Sequence, residues 1–200
     1  FYAEGQLTQK IRDRHTLVFG LDYRNNFRQY ELNYDVEPYA ANGEIDTTSW
    51  NLGVYGQAEV AFLTNLTLNA GLRYDYYDSF HGTVNPRAGL MYSPWTPTTF
   101  KLLYGQAFRA PNRYELYYNS GLDPETIRTY EVVYEQSLLA HLRLLVSGYY
   151  YEIDDLIAST EDVYGYRNLN EARAGGVEFE LDGRFPGGWT GQLGYSLQRA

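Results

Sequence analysis

Period-two alternation of apolar and polar side chains runs through most of this chain, and no other feature limits its fold as tightly. In WNLGVYGQAEVAF, residues 50–62, Trp50, Leu52, Val54, Ala58, Val60 and Phe62 share one parity, while Asn51, Tyr55, Gln57 and Glu59 share the other. The next stretch, LTLNAGLRYDYY at 66–77, repeats the pattern, with Leu66, Leu68, Ala70, Leu72, Tyr74 and Tyr76 set against Thr67, Asn69, Arg73 and Asp75. Successive side chains of a strand point to opposite faces, so each stretch reads as a strand with one apolar face. No window of useful length shows helical periodicity. The pattern predicts an all-β chain of ten strands at 1–10, 15–34, 49–63, 66–78, 84–93, 99–109, 126–138, 142–156, 174–185 and 189–199.

The connections take turns in length. Short ones are expected at 11–14, 64–65, 94–98, 139–141 and 186–188, and longer polar ones at 35–48, 79–83, 110–125 and 157–173. In an up-and-down sheet this puts the tight turns at one end and the long loops at the other, as in an outer-membrane barrel. Charge placement agrees. Asp22, Arg24, Glu59, Arg73, Asp75, Arg87, Lys101, Arg109, Glu131, Glu135, Arg143, Glu178, Glu180 and Asp182 all fall on the parity opposite the apolar residues. A lipid-facing Arg or Lys at the bilayer midplane costs roughly 2–4 kcal/mol, so a membrane barrel must keep them off that face. A soluble antiparallel sheet also segregates polar residues, but its strands average about 5–6 residues, shorter than these. Tyr30, Tyr34, Tyr76, Tyr77, Tyr149 to Tyr151, Trp95 and Trp189 lie near predicted strand ends, where interfacial aromatic girdles belong.

Composition narrows the class further. The net charge of −9 argues against a nucleic-acid partner, which requires clustered Lys and Arg. The absence of cysteine excludes a disulfide framework and a thiolate metal site. No apolar run approaches the ~20 residues of a membrane helix, and a mean hydropathy of −0.48 excludes a helical membrane protein without excluding a barrel. The chain starts at Phe1 and stops inside a predicted strand, so a fragment of a longer protein is expected.

A search for catalytic or metal chemistry finds little. His15, His81 and His141 are placed at opposite ends of the sheet and do not converge on one metal, and no HExxH pattern occurs. There is no GxSxG elbow and no phosphate-cradling loop. Ser147 and His141 form only a loose pair. Asp154 and Asp155 supply too few oxygens for a hard cation. Glu178, Glu180 and Asp182 form an acidic ladder that could serve acid–base chemistry on a soluble enzyme, but in a barrel it more simply pairs with inward arginines or a plug. The expectation is a non-enzyme with no metal and no cofactor.

One stretch is more specific. VNPRAGLMYSPWTPTTFKLLYGQAFRAPNRYELYY, residues 84–118, resembles the β-barrel of the TonB-dependent receptors of Gram-negative outer membranes: Asn85-Pro86-Arg87, then a turn, then Lys101 to Pro111 matching LKxxYGxAFRAP, then Glu115-Leu116. DPETIRTYEVVYEQ (123–136), with Asp123 where Lys is usual, IDDLI (153–157) and NLNEARAGGVEFEL (168–181) are similar to the strands that follow in the family. The likeness is close over roughly 70–200; residues 1–69 match in rhythm.

The resemblance implies an antiparallel up-and-down transmembrane β-barrel of the 22-strand type. This chain would be a partial barrel domain over 1–200, about ten of those strands, with the plug domain and TonB box outside it. The implied function is a TonB-energised outer-membrane receptor and transporter for a scarce substrate such as a ferric siderophore, haem or cobalamin. The implied partners are outer-membrane lipid, the protein's own plug, TonB, and the transported metal chelate or cofactor. Arg73, Arg87, Arg109, Glu131 and Glu178 are expected to face the plug or lumen, and Arg113, Tyr114, Tyr117, Tyr118 and Arg128 are the loop candidates for ligand contact. Arg113 and Arg128 could attract an anionic chelate, while the three tyrosines, apolar in body and polar at the tip, suit either an interface or a ligand surface. Three other readings stand beside this one. A passive porin-like channel predicts no plug, an outer-membrane enzyme predicts a Ser, His and carboxylate cluster, and a soluble β protein predicts solubility without detergent.

Overall fold

The computed structural model describes residues 1–12, 14–160, 165–169 and 171–200. Ten strands pair in one antiparallel sheet, each beside its predecessor: β1 (Tyr2–Ile11), β2 (His15–Val36), β3 (Tyr39–Leu63), β4 (Leu66–Tyr77), β5 (His81–Trp95), β6 (Thr98–Arg109), β7 (Glu125–Leu139), β8 (Leu142–Asp154), β11 (Ala172–Arg184) and β12 (Thr190–Arg199). A short helix, α1 (Arg113–Tyr118), follows β6, and a separate hairpin of β9 (Ile157–Ser159) and β10 (Tyr166–Asn168) follows β8. The ten expected strands are all present, and the sheet is the up-and-down meander that the sequence predicts.

The register carries the parity argument across the sheet. Asp22, Gly53, Asp75 and Thr83 lie in one cross-strand row. Lys101, Val133, Ser147 and Glu178 lie in another on the same face. Each charge expected on the polar parity falls on this face. The opposite face carries Leu21, Leu72 and Leu102, 54%, 54% and 52% exposed, while on the polar face Asp22 and Asp75 are 7% and 3% exposed. Apolar side chains out and carboxylates in is the reverse of a water-soluble protein, and a contiguous apolar face of this extent requires a cover.

Aromatic rows border the apolar face. At the tight-turn end Phe100 lies 5.3 Å from Tyr134, centroid to centroid, with Tyr92 the next residue in the row. At the other end Tyr104, Tyr130 and Tyr150 line up across β6–β8 at 5.2 and 6.4 Å, and Trp50 stacks on Tyr76 at 5.4 Å. Beyond Tyr130 and Tyr150 the next row holds Gln106, Arg128, Glu152 and Arg173, and Arg199 at the end of β12 lies in the tyrosine row itself, so charge enters this face only at its outer border. Phenol and indole rings with charges just past them are what the edge of a hydrocarbon layer demands. The expected girdle is only partly right. Tyr149 and Tyr151 take the polar parity, where the Tyr149 hydroxyl donates to Gln198 at 3.0 Å, and Tyr30 and Tyr34 lie farther out in β2.

The connections differ more. The loop expected at 35–48 is not a loop, because β2 and β3 continue as a paired ladder to Val36 and Tyr39 and turn at Glu37–Pro38, joined by a cis peptide. With 22 and 25 residues against 12 in β4, the two strands extend the sheet by roughly 30 Å at about 3.3 Å per residue. The connection expected at 79–83 shrinks to residues 78–80. Those at 110–125 and 157–173 are long, and each holds structure of its own.

Pro86 sets a local exception in the sheet. It has no N–H to offer the ladder, and β5 pairs with β6 only from Arg87 to Trp95. Past that point the Gln106 side chain donates to the Val84 carbonyl at 2.9 Å, which closes the seam with a side chain in place of backbone.

Candidate functional site

The long-connection end of the sheet is organised by Arg109, the last residue of β6. Its guanidinium donates to both Glu125 oxygens at 2.7 and 2.8 Å and to Glu115 at 3.2 Å. Glu125 Oε1 also accepts the Ile157 N–H at 2.7 Å, so one cation ties β6, β7, α1 and the start of β9. Glu115 is 7% exposed and serves twice. It sits at N3 of a capping box in which Asn112 Oδ1 accepts the Glu115 N–H at 2.8 Å and the Glu115 carboxylate accepts the Asn112 N–H at 2.7 Å. Arg109, expected to face plug or lumen, is thus taken up at the rim by two carboxylates.

Helix α1 then presents its tyrosines. Tyr114 and Tyr118 meet edge to face at 5.0 Å, Tyr117 and Tyr118 at 5.3 Å, and Tyr166 of β10 approaches both Tyr114 and Tyr118 at 6.2 Å. The Asn33 amide of β2 donates to the Tyr114 hydroxyl at 2.9 Å. Hydrogen bonds with Tyr118 and Asn33 pull the Tyr114 hydroxyl below its ordinary pKa, and the shared bond with Tyr114 pushes that of Tyr118 up. The β2–β3 extension packs on this cluster at Gly43, where a Cβ would meet Tyr114, Tyr117 and Tyr118 at 3.9–4.0 Å. Tyr117 is 55% exposed, and with Tyr34 and Tyr39 at the hairpin tip it gives this end an open aromatic surface.

The arginine candidates fare differently from the tyrosines. Arg113 is inside the assembly: it reaches Asp78 at 3.2 Å and Gln29 at 3.2 Å, pinning α1 to β2 and the end of β4. Arg128 lies within β7 on the apolar face and pairs with Asp154 of β8. Neither is a free cation.

On the polar face Arg73 extends across Gly53 to pair with Asp22 at 2.8 Å and Asp75 at 2.6 Å. A side chain at Gly53 would overlap the Arg73 guanidinium and the Asp22 carboxylate, so the bridge requires glycine there. Arg87 donates to Gln57, and with Glu131 it lines an open depression of about 490 Å³. Lys101 and Arg143 share Glu135 at 3.0 and 2.9 Å. Among the described residues Glu178 accepts only the Ser196 hydroxyl, at 3.4 Å. Asn85, 9% exposed, has an amide oxygen without a partner among the described residues. Among the described residues no group of three or more His, Asp or Glu is arranged to hold a metal.

Sequence reasoning singled out the tyrosines of α1 but missed Tyr166 and Asn33, which complete their cluster, and the Glu115 and Glu125 partners of Arg109. Only the Asn112-x-x-Glu115 spacing announced any of this.

Comparison with known proteins bears on both faces. The family model described as TonB dependent receptor-like, beta-barrel matches residues 1–200. A vitamin B12 transporter, BtuB, of Vibrio cholerae is 31% identical over 120 residues, which is 58% of this chain and 20% of that protein. Among solved structures, the siderophore receptor PirA of Pseudomonas aeruginosa superposes with a TM-score of 0.78 at 21% identity, over 98% of this chain and 40% of that one. A mutant of the ferric enterobactin receptor PfeA from the same organism gives 0.78 at 19%, over 98% and 35%, and the FrpB iron transporter of Neisseria meningitidis gives 0.74 at 19%, over 97% and 34%. At these identities the structural likeness is one of fold. The chain spans about a fifth of the curated relative and about a third to two fifths of the structural ones. Its apolar face, aromatic borders, FRAP run and full-length family match agree: this chain belongs to the TonB-dependent receptor β-barrel family.

Proposed function

We propose that this chain is part of the barrel wall of an outer-membrane receptor that imports a scarce substrate, a ferric siderophore or a cobalamin, with energy supplied through TonB. The observation that carries the reading is the reversed polarity of the sheet together with the family match over its full length. The apolar face meets lipid between the two aromatic borders. The polar face lines the lumen and receives the plug domain, which lies in another part of the full-length protein. Arg73 and Arg87 stiffen that wall through Asp22, Asp75 and Gln57. Glu131 and Glu178, with no ion-pair partner among the described residues, and the unsatisfied Asn85 oxygen remain for the plug to engage. The tyrosine surface of α1 and the β2–β3 extension faces outward and makes first contact with cargo.

The test is uptake by Gram-negative cells expressing the full-length protein, with and without functional TonB, using radiolabelled cobalamin and radio-iron siderophores. Accumulation of one of them that disappears without TonB is expected. Accumulation indifferent to TonB would replace this reading with a passive channel.

A further inference from the structure

The outer end has an unusual charge balance. Its arginines are already occupied: Arg28 by Asp46 at 2.7 Å, Arg109 by Glu115 and Glu125, Arg113 by Asp78, Arg128 by Asp154, and Arg173 by Glu171 and Glu152. Arg167 is likewise engaged. Two near the rim have no ion-pair partner among the described residues: Arg24, which lies over the Tyr2 ring at 5.5 Å, and Arg199, which ends β12 on the apolar face in the row of Tyr150. Against these, Glu31, Asp35, Glu37, Glu44, Asp123 and Asp155 have no ion-pair partner among the described residues. Asp35 accepts from Asn42 and Glu44 from Tyr30, and neither bond neutralises a charge. Glu31 belongs to the same strand face as Asn33 and is opposite Ile45, two residues from Gly43, so its carboxylate is on the side of the hairpin that meets the tyrosines. Ring faces carry negative quadrupole density, which also favours cations and disfavours anions.

We infer that this outer surface takes a cargo that is uncharged or cationic and offers a broad apolar or conjugated face to Tyr117 and its neighbours, and that it turns away polyanionic chelates. The surface offers aromatic area for stacking and hydroxyl and amide groups for hydrogen bonds. Arg24, held over the Tyr2 ring, has no carboxylate partner among the described residues, but a single fork does not make the guanidinium cluster that holds carboxylates, phosphates or catecholates. Net negative potential slows the approach of an anion and speeds that of a cation, most strongly at low ionic strength. This inference rests on the transport reading above and chooses among its cargoes.

The experiment is equilibrium binding to the purified full-length receptor at low and high salt, with three probes: cyanocobalamin, which is uncharged, a cationic ferric hydroxamate, and a triply anionic ferric tris-catecholate. Saturable binding of the corrinoid independent of salt, or of the hydroxamate weakening as salt rises, is expected, with no saturable binding of the tris-catecholate. In the double variant Glu31→Lys, Asp35→Lys, association of the cationic hydroxamate at low salt is expected to slow about tenfold, and an unchanged rate would overturn the role given to these carboxylates. Saturable tris-catecholate binding by the unmodified receptor, or none of either other probe, would overturn the inference. TonB-dependent uptake of the anionic chelate would sink this charge selection and leave the transport reading intact, whereas uptake indifferent to TonB would remove the transport reading itself.

Discussion

Arg73 and Arg109 look alike in the sequence, each on the polar parity of an alternating run, yet they do different work. Arg73 crosses a strand to hold two carboxylates, and it can do so only because Gly53 leaves the space empty. Gly53→Val should therefore force Arg73 off Asp22 and leave two nearly buried carboxylates short of a partner. Breaking a buried pair costs about 3–5 kcal/mol at the upper end, and the partial exposure of Arg73 brings this below that range. Urea unfolding of the full-length receptor in detergent would show it, and an unchanged midpoint would mean that the bridge is dispensable. Arg109 holds loops instead of wall. Arg109→Gln should leave the barrel's stability nearly intact but free α1 and the β9 segment from the rim, so brief protease treatment should cut within 110–125 in the variant before it cuts the parent. Equal protection in both would show that the capping box and Tyr cluster fix α1 unaided.

At the scale of elements, legibility follows the solvent. Where one face meets hydrocarbon and the other a polar interior, the two sets of side chains must differ, and β4, β6, β7 and β8 were read within a residue or two of their observed ends. Past the membrane one face of the β2–β3 extension meets water and the other meets water and the α1 tyrosines, the alternation loses its cause, and DVEPYAANGEIDTT reads as loop although it is strand on both sides of a two-residue turn. A register shift between Asn33 and Tyr34 erases what parity is left. Helix α1, six residues long, is too short to show a period, and β9 and β10, at three residues each, are shorter than any pattern can register. The candidate site was half legible for a related reason: its tyrosines stand in sequence, but the contacts that assemble them join residues as distant as Asn33 and Tyr114. The hairpin is also where acid should act first. The hydrogen bond from Arg28 holds the Asp46 carboxyl below its ordinary pKa. A carboxyl lowered on folding contributes above its unfolded value and loses that contribution as pH falls through the lower folded one. Amide protection in the β2–β3 extension, corrected for the slower intrinsic exchange at low pH, should therefore fall on acidification before protection in β4–β8 does, and simultaneous loss across both would refute an independently weakened hairpin.

For the molecule as a whole, the decisive matter is which medium each face meets, and a matched pair of substitutions can decide it. Val132 and Thr129 both lie within β7, three residues apart and on opposite faces, Val132 in the row of Leu102 and Thr129 in the row of Arg87 and Gly105. Val132 is 55% exposed to whatever covers the apolar face. If that cover is hydrocarbon, Val132→Arg places a guanidinium in the bilayer at a cost of about 2–4 kcal/mol, the higher figure for a site near the midplane. Thr129→Arg adds the same charge toward the lumen, beside Glu131, and should cost little. Refolding the full-length receptor into lipid vesicles and following the folded fraction against urea would separate the two. A large loss for Val132→Arg with near-parity for Thr129→Arg is the expected result. Equal, small effects would mean that water meets both faces, and the barrel reading would fall with the transport function built on it. Because both variants carry one added arginine in the same strand, differences in expression, net charge and β-propensity cancel, and what remains is the solvent on each side of the sheet.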